Sequence, residues 1–129
     1  VSDFKISNET SAKVPKNKIA AYLNENFELV TDILKKFSLR KEDGQVFVGF
    51  CAFTGPIEKA RKTIKKKIID KGCDFLFANP IDIAGQGFGC SAQNEGWLID
   101  TKTMELYIKK TSKIDLANKI ITQIISLNK

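Results

Sequence analysis

The stretch Val46–Phe53 contains no polar side chain at any of its positions. A strand with one wet face reads polar at every second residue, so an unbroken apolar run suits a strand covered on both faces. Phe75-Leu76-Phe77-Ala78 repeats the pattern. Between the two lies a segment opened by Pro56, whose missing N–H costs nothing at a helix start. Ile57, Ala60, Ile64 and Ile68 recur in it at helical spacing, and Gly72 is placed to end the helix. A strand–helix–strand unit of this kind predicts parallel pairing with a right-handed crossover.

The rest of the chain is read around that unit. Residues 1–26 read as a loop with at most a short helix near Lys18–Leu23. Phe27–Val30 reads as a short strand, and Thr31 is placed to cap a helix carrying Ile33, Leu34 and Phe37. Pro80–Gly96 reads as a long loop holding Gly85, Gly87, Gly89 and Gly96. Trp97–Ile99 and Glu105–Ile108 flank a polar turn and read as a hairpin. Ser112 and Asp115 resemble a capping box for a closing helix with Ala117, Ile120, Ile121, Ile124 and Ile125 on its apolar face. The expected fold class is α/β: a mainly parallel central sheet with helices on both faces, extended by an antiparallel hairpin. In such sheets ligands collect at the carboxyl ends of the strands. Here those ends are Phe50–Thr54, Ala78–Pro80 and, given a strand upstream, Val1–Phe4.

Composition narrows the chemistry. A chain of 129 residues makes one domain, and 43% apolar with 28% charged residues is globular composition. Histidine is absent, which removes Ser-His-Asp triads, Cys-His dyads and His-containing zinc sites. Three cysteines, Cys51, Cys73 and Cys90, have no CxxC spacing and are too few for a four-cysteine site, so no metal is expected. They read as inert thiols of a reducing, cytoplasmic compartment, and no signal-peptide pattern is visible. No apolar run approaches the roughly 18 residues of a spanning helix, which excludes a transmembrane protein, and no membrane partner is expected. The first residue is Val1 and the single methionine is Met104, so the chain is expected to begin inside a longer reading frame.

The net charge is +6, and Pro56–Lys71, with seven basic and two acidic residues, supplies five of those six charges. Such a stripe has two readings: an anion-binding surface for nucleotide phosphates, nucleic acid or a membrane, or a solvated helix face. Gly85-Gln86-Gly87-Phe88-Gly89 likewise reads as a phosphate cradle or a flexible loop; it is neither GxGxxG nor a Walker sequence.

A succession of short motifs carries more information than any one of them. Val1-Ser2-Asp3-Phe4, Lys13-Val14-Pro15-Lys16, Thr31-Asp32-Ile33-Leu34, Val48-Gly49-Phe50, Ala60-Arg61-Lys62, Asp74 through Asn79, and Gly87-Phe88-Gly89 leading to Asn94 occur in one order. This succession resembles the C-terminal part of the phosphopantothenoylcysteine synthetases, the ligase half of the bifunctional coenzyme A biosynthesis flavoproteins. It covers essentially the whole chain, 1–129. The resemblance implies a Rossmann-like three-layer sandwich and a nucleotide-dependent ligase. CTP, with Mg2+, activates the carboxylate of 4′-phosphopantothenate as an acyl-cytidylate. The amine of cysteine then displaces CMP. It also implies paired subunits, a homodimer, with FMN confined to the separate decarboxylase domain.

Residue by residue, the resemblance assigns Asp3 to the nucleotide and Lys13 to a mobile flap closing over the acyl-cytidylate, the catalytic position. Asp32, Ile33 and Leu34 match a Pro-Asp-Ile-Leu segment beside the nucleotide, with Thr31 in place of proline. Phe50 matches a strand-end aromatic. Asn79 matches an Ala-Asn-Asp motif, with Pro80 in place of aspartate. Two registers place the phosphate-binding lysines: Lys62 and Lys66, or Lys67 and Lys71, the second anchored by Lys71-Gly72-Cys73-Asp74. The family's Gly-rich N-terminal loop and Ser-Ser-Gly segment have no counterpart, so the chain is expected to be an incomplete domain, inactive alone. The rival reading is a non-catalytic anion- or nucleic-acid-binding α/β module built on the basic helix 56–71.

Overall fold

The computed structural model describes residues 3–84 and 92–127. In chain order its elements are β1 (Phe4–Ile6), a 3-10 turn (Lys16–Lys18), α1 (Ile19–Asn26), β2 (Phe27–Leu29), α2 (Ile33–Ser38) and β3 (Val48–Phe53). There follow α3 (Ile57–Lys71), β4 (Phe75–Pro80), β5 (Gln93–Asp100), β6 (Glu105–Ser112) and α4 (Lys113–Leu127). The main sheet has the order β3-β4-β5-β6, with β3 and β4 parallel and the two remaining pairs antiparallel.

The lack of alternation in β4 follows from its position. Leu76 and Ala78 join Ile57, Ile64 and Ile68 of α3 on one face. Phe75 and Phe77 join Leu116 and Ile120 of α4 on the other. Every residue of β4 is buried, so both phases of its period-two pattern must be apolar. The result is the expected three-layer α/β sandwich, helix on sheet on helix.

Three details depart from the sequence reading. The parallel part of the sheet is a single pair, because Phe27–Leu29 does not join it. β2 instead pairs antiparallel with β1, and Phe4 stacks on Phe27 with ring centroids 4.7 Å apart. Gly96 belongs to β5, not to the preceding loop, and sits at an irregularity in the β5–β6 register. A methyl group there would land on the Ala78 carbonyl oxygen and lie 2.6 Å from Phe77 Cζ, so close packing of two strands demands glycine. Finally, α4 buries Leu116 and Ile120 and turns Ile121 and Ile125 outward at 54% exposure each. One helix meets a sheet along a single stripe, and that stripe runs 116, 120, 124. The Gly85–Gly89 segment and Cys90 lie outside the described residues.

α3 ends where expected. Gly72 takes φ 65°, ψ 27°, and its N–H reaches back to Ile68 and Ile69 carbonyls, the left-handed closure that glycine adopts at least cost. Just beyond, Asp74 ties the loop before β3 to the start of β4. It accepts from the Phe47 N–H at 2.8 Å and from Lys41 Nζ at 2.5 Å. That clasp sets the height at which β3 enters the sheet.

Candidate functional site

A groove of about 750 Å3 runs along the outer side of β3, within the size range of small-molecule sites. One wall is Phe47, Val48, Gly49 and Phe50; the other is Leu29 through Leu34 with Phe37, and Asp3 and Lys71 complete it. The second wall is held in place by main-chain pairing, since the Val30 N–H donates to the Asp3 carbonyl at 2.9 Å. Close approach of α2 to β3 is permitted by Gly49, where an added methyl would come within 2.9 Å of Leu34 Cδ2.

The charged centre of the groove is Asp32 with Lys71. Asp32 caps α2, accepting from the Lys35 N–H at 3.1 Å, and its second oxygen accepts from Lys71 Nζ at 2.6 Å. The Lys71 hydrogen bond, followed by that from Lys35, holds the Asp32 carboxyl below its ordinary value, because both favour the ionised form. Thr31, expected as the cap, lines the groove one residue earlier; Asp32 caps instead. A carboxylate accepts more strongly from a backbone N–H than a hydroxyl does.

Of the residues singled out from the sequence, Asp3, Thr31, Asp32, Ile33, Leu34, Phe50 and Lys71 all line this groove. Lys13 does not line it; it lies exposed on the segment between β1 and the 3-10 turn. Lys67 is half-buried behind β3, where its charge is felt by Cys51. In the other register, Lys66 is engaged with Asp70 at 2.5 Å. Asn79 is buried in β4, opposite Ala52, and among the described residues its Nδ2 has no hydrogen-bond partner.

The groove also differs in position from the site expected at the strand ends. Lys71 closes α3 just before β4 begins, so it stands at the amino side of the sheet. Asn79 stands at the carboxyl side. The sequence reading gave no site role to Leu29, Val30, Phe37 and Phe47, nor to Val48 and Gly49, although these two belong to the Val48-Gly49-Phe50 motif. Phe37 was recoverable from its spacing of four after Ile33, whereas the walls formed by β2 and β3 depend on tertiary packing.

Much of the basic stripe is internally neutralised. Arg61 grips Glu105 of β6 through Nε and Nη2 at 2.7–3.0 Å. With Lys66 on Asp70 and Lys71 on Asp32, three of the stripe's cations already have carboxylate partners. Both described thiols are pushed up in pKa, primarily by burial. Among the described residues no cluster of three or more acidic or cysteine side chains could hold a metal ion, and no helix is long and apolar enough to cross a membrane.

An α/β sandwich with an edge groove holding an ion pair defines a fold class and a candidate site, and leaves the function open. The comparisons supply the family. Residues 1–127 match the DNA/pantothenate metabolism flavoprotein C-terminal domain, and the chain belongs to that family. It is 31% identical over 106 residues to the coenzyme A biosynthesis bifunctional protein CoaBC of Bacillus subtilis (strain 168), covering 76% of this chain and 23% of that protein. Its fold is similar to the crystal structure of a CoaBC C-terminal domain, with TM-score 0.64, 24% identity and coverage of 88% of this chain and 50% of that one. It is also similar to the DNA/pantothenate metabolism flavoprotein of Streptococcus pneumoniae, with TM-score 0.64, 11% identity and coverage of 98% and 60%. The chain thus spans about a quarter of the curated relative and half of the solved C-terminal domain.

Proposed function

We propose that this chain is the C-terminal portion of a CTP-dependent phosphopantothenate–cysteine ligase of coenzyme A biosynthesis, and that its β3 groove forms part of the nucleotide site. The observation that carries the reading is the convergence of Asp3, Thr31–Leu34, Phe50 and Lys71, scattered over 69 positions of a chain matching the family along residues 1–127, on one groove. Apolar walls with few fixed charges suit a nucleotide, whose base needs flat contact and whose phosphates need cations.

In this reading Phe50, 68% exposed, offers its ring to the base or ribose. Lys71 exchanges Asp32 for a phosphate oxygen. Mg2+ would ride on the triphosphate, lowering the charge that the attacking carboxylate meets. Asp3 is the exposed carboxylate suited to hold it, since such ions commonly keep most of their shell as phosphate and water. Lys13, on its exposed segment, reaches the site only by movement of that segment, as a flap does. The chain alone supplies one side of this arrangement and is inactive alone.

The test uses the purified 129-residue chain. Titration with CTP, monitored by amide chemical shifts, is expected to move Asp32, Phe50 and Lys71 with weak affinity and to exceed the effect of ATP. CMP formation from CTP, phosphopantothenate and cysteine is expected to be absent. Tight polynucleotide binding with a steep salt dependence, and no CTP response, would instead establish the anion-binding module.

A further inference from the structure

We propose that Asn26 is a positioning residue of this site: with Ser7, Asn8 and Tyr22 it forms the fixed hinge from which the segment carrying Lys13 folds back over the β3 groove. The task given to Lys13 rests on the nucleotide reading of the groove. The hinge itself rests on hydrogen bonds and chain geometry.

The ribbon of β1 and β2 has two ends. At one, Asp3 and Val30 are joined at 2.9 Å and line the groove. At the other, the Asn26 carbonyl accepts from the Ser7 N–H at 2.8 Å and from the Ser7 hydroxyl at 3.1 Å. Asn26 closes α1, is only 8% exposed, and has both ends of its side-chain amide engaged. Oδ1 accepts from Asn8 Nδ2, and Nδ2 donates to the Tyr22 carbonyl, both at 2.8 Å. The Tyr22 hydroxyl completes the ring by donating to the Asn8 carbonyl. A buried amide satisfied at both ends is held in one orientation, so the chain at Ser7 and Asn8 is pinned to α1.

Beyond the pin the chain is held by nothing comparable. Residues 9–13 are exposed throughout, and among the described residues their one hydrogen bond is internal, from the Ala12 N–H to Thr10 Oγ1 at 3.2 Å. The spacing of the chain then matters. Asn8 stands five positions beyond Asp3, and Lys13 stands five beyond Asn8. At roughly 3.4 Å per extended residue each leg spans about 17 Å. A segment that folds back from Asn8 along the ribbon therefore returns Lys13 level with Asp3, at the groove. With the pin removed, three exposed residue pairs are all that join β1 to β2, and a ribbon of that size frays. The pin thus confines the volume that Lys13 searches and raises its local concentration at the groove. Asn26 does this without touching the nucleotide.

The experiment reads backbone order parameters in the isotope-labelled 129-residue chain. Residues 9–13 are expected below about 0.6, and Ser7, Asn8 and Asn26 near about 0.85. In Asn26→Ala, and in Tyr22→Phe, which deletes a single hydroxyl, Ser7 and Asn8 are expected to drop toward about 0.6. Unchanged values in β3 and β4 report that the fold is intact. Mn2+–CTP is then added as a paramagnetic probe, with Mn2+ alone as the blank. Asp32, Phe50 and Lys71 are expected to broaden equally in the parent and both variants. Lys13 is expected to broaden in the parent and at least about twofold less in the variants. A purely structural role for Asn26 would not separate Lys13 from the groove residues in this way. The proposal is overturned if Ser7 and Asn8 are mobile in the parent or stay rigid in both variants. It is equally overturned if they loosen while Lys13 keeps its broadening. Loosening with no broadening at Asp32, Phe50 and Lys71 leaves the hinge standing and counts against the nucleotide reading; groove broadening with Ser7 and Asn8 rigid in both variants does the reverse.

Discussion

Lys71 and Asp32, thirty-nine positions apart, meet at 2.6 Å and join the last turn of α3 to the first turn of α2. The pair does two structural jobs at once. The Asp32 carboxylate satisfies an unpaired N–H of α2, and the Lys71 ammonium sits at a helix carboxyl end, where the macrodipole favours a cation. Both side chains are about one-third exposed, at 38% and 32%, so water screens much of the attraction.

Separating those jobs gives the first prediction. Asp32→Asn keeps a capping oxygen and removes the charge, and is expected to cost about 0.5 kcal/mol. Asp32→Ala removes both and is expected to cost about 1–2 kcal/mol. Urea unfolding of the two variants measures the difference, and equal costs would show that the cap contributes nothing.

The same carboxylate sets a pH dependence. Lys71 and Lys35 lower the pKa of Asp32, and Arg61 lowers that of Glu105. Groups with folded pKa values below their unfolded ones stabilise above the unfolded values, roughly 3.9 and 4.3, and lose that contribution as pH falls through the folded values. Without histidine, stability is expected to be flat from about pH 5.5 to 7.5 and to decline below about pH 4. Thermal unfolding across that range tests this, and Asp32→Asn should flatten the acid limb.

Glycine at position 96 is a packing requirement. Gly96→Ala drives a methyl into the Ala78 backbone, where nothing flexible can yield, and is expected to cost about 3 kcal/mol. Gly49→Ala meets only the tip of Leu34, which can rotate away, and should cost about 1 kcal/mol. Denaturation midpoints with unchanged m-values would establish the ranking.

Two buried asparagines should respond by different amounts. Asn26 donates to the Tyr22 carbonyl and accepts from Asn8, both at 2.8 Å, so Asn26→Ala is expected to cost about 2 kcal/mol. Asn79 bears a desolvated Nδ2 without a partner among the described residues, and Asn79→Ala is expected to change stability by less than about 1 kcal/mol. A larger loss at Asn79 would mean that its amide is satisfied.

The thiols of Cys51, half-buried, and Cys73, buried, are expected to be slow to alkylate. Cys51 and Cys73 are both raised in pKa by burial, which lowers the thiolate fraction that reacts. Peptide mapping after brief iodoacetamide treatment at neutral pH should find both largely unmodified in the native chain and modified in urea.

What the sequence determined by itself was local and periodic. The unbroken apolar runs specified β3 and β4, the spacing of Ile57, Ala60, Ile64 and Ile68 specified α3, and Pro56 and Gly72 marked its ends, because backbone sterics and a period of 3.6 or two act within a few residues. The family motifs marked seven of the groove residues before any was placed. Tertiary structure decided the remainder. Phe27–Leu29 had strand character but no means of announcing its partner, and β1 claimed it away from the main sheet. The apolar face of α4 was legible, but which part of it met the sheet depended on the angle of packing. The pairing of Asp32 with Lys71 required α2 to lie against the end of α3, a position set by Gly49 making room for Leu34. Contacts at such separations cost chain entropy that only the assembled core repays, so no local pattern records them.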